Sequence, residues 1–227
     1  MASIVPSGSK IQTGRPFERL INFTDAIVAV AITVLVLPIV GIRPAHGEET
    51  IWQVISDNSG QLTAFFFTFI IVAVMWRIHN RIFSQLAGFD DAIFWLNLLW
   101  LVLIAILPWS SSMYGSGMDS FQAANGGRDW FSGGEGLGGV GLVYWLNLAG
   151  ISIVGGLVSV HARRTPDLVD ADAQRFFANT PLVRMRGFIF GVYMISIGIM
   201  TVFLPMIAVW MPFGFFLIGY FLRRQEA

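Results

Sequence analysis

Apolar and polar positions in this chain are segregated into blocks. Six mostly apolar stretches, about 20–41, 61–78, 91–109, 139–160, 185–204 and 207–222, are separated by polar segments. A helix crossing the hydrocarbon of a bilayer takes about 20 such residues. The pattern therefore predicts an all-α, integral membrane six-helix bundle, one unit spanning residues 1–227. The fifth and sixth stretches meet around Pro205, which predicts a tight antiparallel hairpin, and Trp210-Met211-Pro212 crowds the start of the short sixth. Residues 110–138 are rich in Gly and Ser and read as a flexible outer loop. Residues 165–178 read as a short helix with Thr165 as N-cap, Pro166 in its first turn and Asp167 favouring the dipole.

The polar segments carry an orientation signal. Lys10, Arg15 and Arg19 precede the first stretch, and Arg77 and Arg81 follow the second. Arg163, Arg164, Arg175, Arg184 and Arg186 lie between the fourth and fifth, and Arg223 and Arg224 follow the sixth. Only Arg43 and Arg128 fall on the other side, so 12 of the 14 basic residues alternate consistently with six spans and place both termini in the cytoplasm. Trp52, Trp76 and Trp109 fall near the predicted helix ends, as in an interfacial aromatic belt.

Composition removes several function classes. The chain is 55% hydrophobic and 12% charged, against about 25% charged in soluble domains. Its formal net charge of zero implies no nucleic-acid partner. With no Cys, disulfides, thiolate metal sites and a Cys nucleophile are excluded. Glu18 and Asp25 stand where a cleaved signal peptide is normally free of acids, so the first stretch reads as a retained span.

The motifs narrow the field further. Gly134 to Gly139 matches G-x-G-x-x-G formally, but no strand precedes it. His46, His79 and His161 are scattered, with no carboxylates at ligand spacing, so no metal site is expected. Ser110-Ser111-Ser112 reads as the start of the outer loop; no hydrolase arrangement is visible, and no enzyme activity is expected. The helix centres carry no Asp, Glu, Lys, Arg or His, whereas coupled pumps use such groups as relays. That favours passive conduction over coupled transport, with a non-conducting membrane scaffold as a third reading.

The first stretch, RLINFTDAIVAVAITVLVL from Arg19 to Leu37, has two devices. Ala26, Val30, Thr33 and Leu37 recur at spacings of four, three and four and share one helical face. A face of small and medium apolar residues with one hydroxyl suits a narrow pore, where apolar constrictions gate by dewetting. One helix cannot enclose a pore, so this reading requires a ring of copies; the alternative is an ordinary spanning face. Arg19 and Asp25 at the mouth fit either interfacial anchoring or support of that helix, and His79 at the end of the second stretch is equally two-sided.

Arg19, Phe23, Thr24 and Asp25, followed by AIVAVAITVLVLPI, resemble the R-x-x-x-F-S-D signature of the transmembrane protein 175 family, lysosomal and prokaryotic potassium channels. Trp76 and His79 in WRIHNRIF are similar to its second-helix ending, and Asn97 and Pro108 to its third helix. The likeness is close over about residues 15–110 and elsewhere extends to layout only. It implies a six-helix subunit of a homotetramer whose first helices line the pore. It further implies a hydrophobic constriction at Val30, potassium preference at Thr33, a further apolar layer at Leu37, and a polar network of Arg19, Asp25 and His79. Three residues depart from the family pattern: Thr24 for the usual Ser, Val30 for a larger Ile or Leu, and Asn80 where a second His is common. The expectation is a potassium-permeable channel in a bacterial plasma membrane. It has no cofactor, K+ as the permeant ion and the lipid bilayer as surroundings; a proton-conducting carrier is the alternative.

Overall fold

The computed structural model describes residues 11–43, 50–124, 135–169, 181–204 and 211–214. Within them the chain forms α1 (Arg15–Val34), α2 (Leu37–Val40), α3 (Ile51–Asp57), α4 (Ser59–Phe83), α5 (Asp91–Ala124), α6 (Glu135–Arg164) and α7 (Pro181–Phe203). Single 3-10 turns lie at Pro166–Leu168, between α6 and α7, and at Met211–Phe213, after α7. Four segments, Arg15–Val40, Ser59–Phe83, Asp91–Ala123 and Leu137–Arg164, are long and apolar enough to cross a membrane, and Gly187–Phe203 is a shorter apolar helix. Pro205 and most of the sixth apolar stretch lie outside the described residues, and with them the expected hairpin.

The Gly- and Ser-rich loop is corrected. α5 runs on for 34 residues through Pro108 to Ala124, and α6 already begins at Glu135. Ser110 and Ser111 are helical and buried. The small residues were not marking a loop but letting helices approach, as they do at membrane helix interfaces. At Gly115 an added Cβ would lie 2.8 Å from Gln61 Cα, and at Gly60 it would lie 2.6 Å from Met118 Cβ. At about 1.5 Å per residue α5 is about 51 Å long, well beyond the ~30 Å hydrocarbon thickness. The expected helix over 165–178 is also different. One 3-10 turn forms, Thr165 makes no side-chain cap, and Val169 pairs instead with Leu86; residues 170–178 lie outside the described residues.

α6 packs most extensively on α7 and α5. The α6–α7 contact is a backbone approach: a Cβ on Gly187 would stand 2.7 Å from the Ser152 carbonyl and 2.8 Å from Gly156 Cα. One apolar core is built around Trp100, Ile104, Leu107, Tyr144, Trp145 and Ile197. A second gathers Phe17, Phe83, Phe89, Ile93, Val158 and Leu168 at the end where α1 begins. There the α4–α5 connection is held on both sides, by the Gln12–Phe89 and Leu86–Val169 antiparallel bridges.

Candidate functional site

α1 has two contrasting faces. Phe17, Leu20, Thr24, Val28 and Ala31 are buried at helical spacing, and Leu35 continues the row. This stripe packs mainly toward α5 and also meets α4. Ala26, Val30, Thr33 and Leu37 lie on the opposite face and all four are exposed; the apolar Val30 and Leu37 are each 61% accessible. Along this face the Thr33 hydroxyl donates to the Val30 carbonyl at 2.7 Å. Its proton is thereby committed to the helix, and its oxygen offers only lone pairs to whatever lies beyond.

Pro38 interrupts the helix. The Val36 N–H bonds Thr33 O at 3.3 Å, and both Ile39 and Val40 donate to Val36 O, at 3.0 and 3.1 Å. Pro38 has no N–H to give the Val34 carbonyl, and the Ile39 amide turns to Val36, so neither Val34 O nor Leu35 O receives a backbone donor among the described residues. α2 is the four-residue continuation beyond this break, and none of its side chains is buried.

The predicted polar network divides in two. His79 donates from Nε2 to Asn97 Oδ1 at 2.9 Å, Asn97 Nδ2 donates to Thr24 Oγ1 at 2.8 Å, and Thr24 Oγ1 donates to Leu20 O at 2.9 Å. All three side chains are buried. The His79 ring lies between Phe83 and Trp100, with centroids 4.2 and 4.1 Å away. Asp25 instead accepts from Trp76 Nε1 at 2.8 Å, near the surface. Arg19 is exposed, and no hydrogen bond or ion pair among the described residues joins it to Asp25 or His79. Phe23 is 54% accessible and takes no part in either group. Trp76, which the sequence placed in an aromatic belt and as a mark of resemblance, and Asn97, a mark of resemblance only, thus complete the two groups. Asn97 was legible as the one amide in the apolar run 91–109.

Other polar contacts had no sequence signal. Thr68 meets both Ser111 and Tyr144 at 2.8 Å within the bundle, and Asn147 donates to Ser110 Oγ at 3.2 Å. The Asp119 carboxylate accepts from the Gly60 and Gln61 amides at 2.6 and 3.2 Å, capping α4 from a neighbouring helix. Asp90 caps α5 through the Ile93 amide at 2.9 Å and pairs with His161 Nε2 at 2.7 Å. Burial alone would raise the Asp90 carboxyl, but the Ile93 amide and His161 outweigh it and hold it below its ordinary value. Among the described residues no His, Asp and Glu cluster is arranged to hold a metal.

Long apolar helices, one of them secured from within by a buried polar chain and bare on its far side, define an α-helical integral membrane protein. Residues 19–108 match the family model described as "Endosomal/lysosomal potassium channel TMEM175". A potassium channel of Chamaesiphon minutus is 30% identical over 214 residues, covering 92% of this chain and 95% of that one. The chain belongs to the TMEM175 family. A potassium channel of Streptomyces collinus is 34% identical over 95 residues. An endosomal/lysosomal proton channel TMEM175 of Danio rerio is 30% identical over 96. These two matches span 46% and 18% of those relatives' lengths. The crystal structure of a lysosomal potassium-selective channel TMEM175 homologue from Chamaesiphon minutus has the same fold. Its TM-score is 0.66 at 23% identity, over 94% of this chain and 100% of that one.

Proposed function

We propose that this chain is the subunit of a homotetrameric, potassium-permeable cation channel in a bacterial inner membrane, with both termini cytoplasmic and passive conduction along the first helices. The observation that carries the reading is the α1 face of Ala26, Val30, Thr33 and Leu37. It is bare in the single chain, opposite a buried stripe, on a helix fastened by Thr24 and Asn97. A ring of copies turns this face inward and makes Val30 and Leu37 apolar layers that gate by dewetting. Between them Thr33 presents oxygen lone pairs, which favour a cation over an anion. The channel needs no cofactor and performs no chemistry. Potassium enters through the names of the bacterial relatives; the vertebrate relatives named proton channels favour proton permeation as a second reading. Currents from purified protein in planar bilayers under bi-ionic conditions test both. A reversal potential set by potassium supports the first, one that follows the pH gradient the second. No current at any potential, pH or ion overturns both.

A further inference from the structure

The break at Pro38 has a cavity beside it. A hole of about 10 Å³ lies between Leu35, Pro38 and Ile39 on one side and Gln61, Phe65, Ser111 and Ser112 on the other, with more apolar than polar surface around it. That is at the lower end of the space one water occupies, and a polar site with two to four partners is where a buried water belongs. Candidate partners line it: Leu35, whose carbonyl receives no backbone donor among the described residues, the Gln61 side chain and the two serine hydroxyls. Ser111 is already engaged with Thr68 at 2.8 Å and Gln61 Nε2 with Ser116 at 3.4 Å, which leaves the Ser112 hydroxyl, the Gln61 side-chain oxygen and the Leu35 carbonyl to hold the guest.

A third feature points the same way. α1 is tied down by five buried side chains, whereas α2 buries none. The two Pro38-linked pieces of one apolar segment are therefore held very unequally. Leu37 stands on the loosely held piece and Val30 and Thr33 on the firm one. Sharp kinks in helices come from Pro or from a water inserted in the hydrogen-bond ladder; here the sequence provides the first and the cavity accommodates the second.

We infer that this cavity is a resident-water site and that Leu35–Val36 is a hinge, on which Leu37–Val40 swings separately from the α1 face below it. Resting on the proposed pore, the inference makes Leu37 a movable layer and Val30 a static one. The water substitutes for the missing amide in one position of α2 and is released or re-bonded in the other.

Backbone hydrogen exchange of the full-length protein in lipid nanodiscs tests this without any current. The expected profile has residues 35–40 exchanging at least about tenfold faster than 26–34. Pro38→Ala, which restores a donor, removes most of that difference. Equal protection of the two segments in the wild type overturns the hinge, whatever the variant does, and so does a Pro38→Ala profile identical to wild type. A high-resolution map with density between the Leu35 carbonyl and Ser112 supports the water site, and an empty cavity in that map overturns it. A hinged protein that passes no current keeps this inference and loses the pore; a conducting protein with a rigid 35–40 segment does the reverse.

Discussion

Asn97 of α5 donates its side-chain amide to the Thr24 hydroxyl of α1 across 2.8 Å, in a fully buried setting. Because its other end accepts from His79, one amide links three helices. Asn97→Leu leaves both partners without it. The expected loss is about 1–2 kcal/mol, the range for an unmade buried hydrogen bond moderated by the membrane reference state. Thermal unfolding in detergent reads it, and a melting temperature equal to wild type counts against the role of the link.

Asp25 and Trp76 form a separate, more exposed contact. Asp25→Leu and Trp76→Phe remove the same hydrogen bond, so the double variant is expected to lose no more stability than the worse single one. Each single loss is below about 1 kcal/mol. Asp25→Asn keeps an acceptor and stays near wild type. Additive losses in the double-variant cycle would show that the two residues act apart.

Val30→Ala widens the narrowest apolar ring of the proposed pore. Unitary conductance is expected to rise about two-fold or more, with weaker potassium discrimination, since dewetting depends on apolar radius. Single-channel recording measures both, and unchanged conductance places the constriction elsewhere.

Thr33→Val keeps the shape and removes the oxygen that faces away from the Val30 carbonyl. The reversal potential under potassium–sodium bi-ionic conditions should move toward zero. Thr33→Ser, which retains the hydroxyl, should stay near wild type. A Val variant with the wild-type reversal potential removes Thr33 from selectivity.

Asp90 makes a pH prediction. Its folded-state carboxyl is held below the ordinary value, so its contribution is complete above the usual carboxylate range. That contribution is lost as pH falls through the folded value. Asp90→Asn keeps a capping oxygen and loses the charge, so it should cost about 0.3–1 kcal/mol near neutrality. The gap to wild type should close as pH falls toward 3. Unfolding midpoints across that range decide it; a constant gap assigns the effect to shape.

Legibility varied with the kind of signal. The first four apolar stretches appear as the four segments able to span a membrane, because long apolar runs leave the backbone little choice but to bond within itself. Ala26, Val30, Thr33 and Leu37 were found by helical spacing and are indeed on one exposed face. The Ser110–Gly117 region was misread because small residues mark both loops and close helix contacts, and only the partner helix tells them apart. Arg19, Asp25 and His79 were grouped by resemblance, yet in this chain Asp25 meets Trp76 and His79 meets Asn97.

What the sequence determined by itself was the period and the chemistry: apolar blocks, the Arg-rich segments, one hydroxyl on the face of the first helix, one Pro to interrupt it. Those follow from local rules, since burial in lipid and the proline ring act wherever the residue sits. The tertiary structure decided which side of α1 is bare, which polar groups find each other, and that the Pro38 break adjoins a small cavity with two serines in its wall. These depend on side chains brought from far along the chain, Thr24 to Asn97 and Leu35 to Ser112. Such pairs leave no periodic trace, because their spacing along the chain is set by how helices cross.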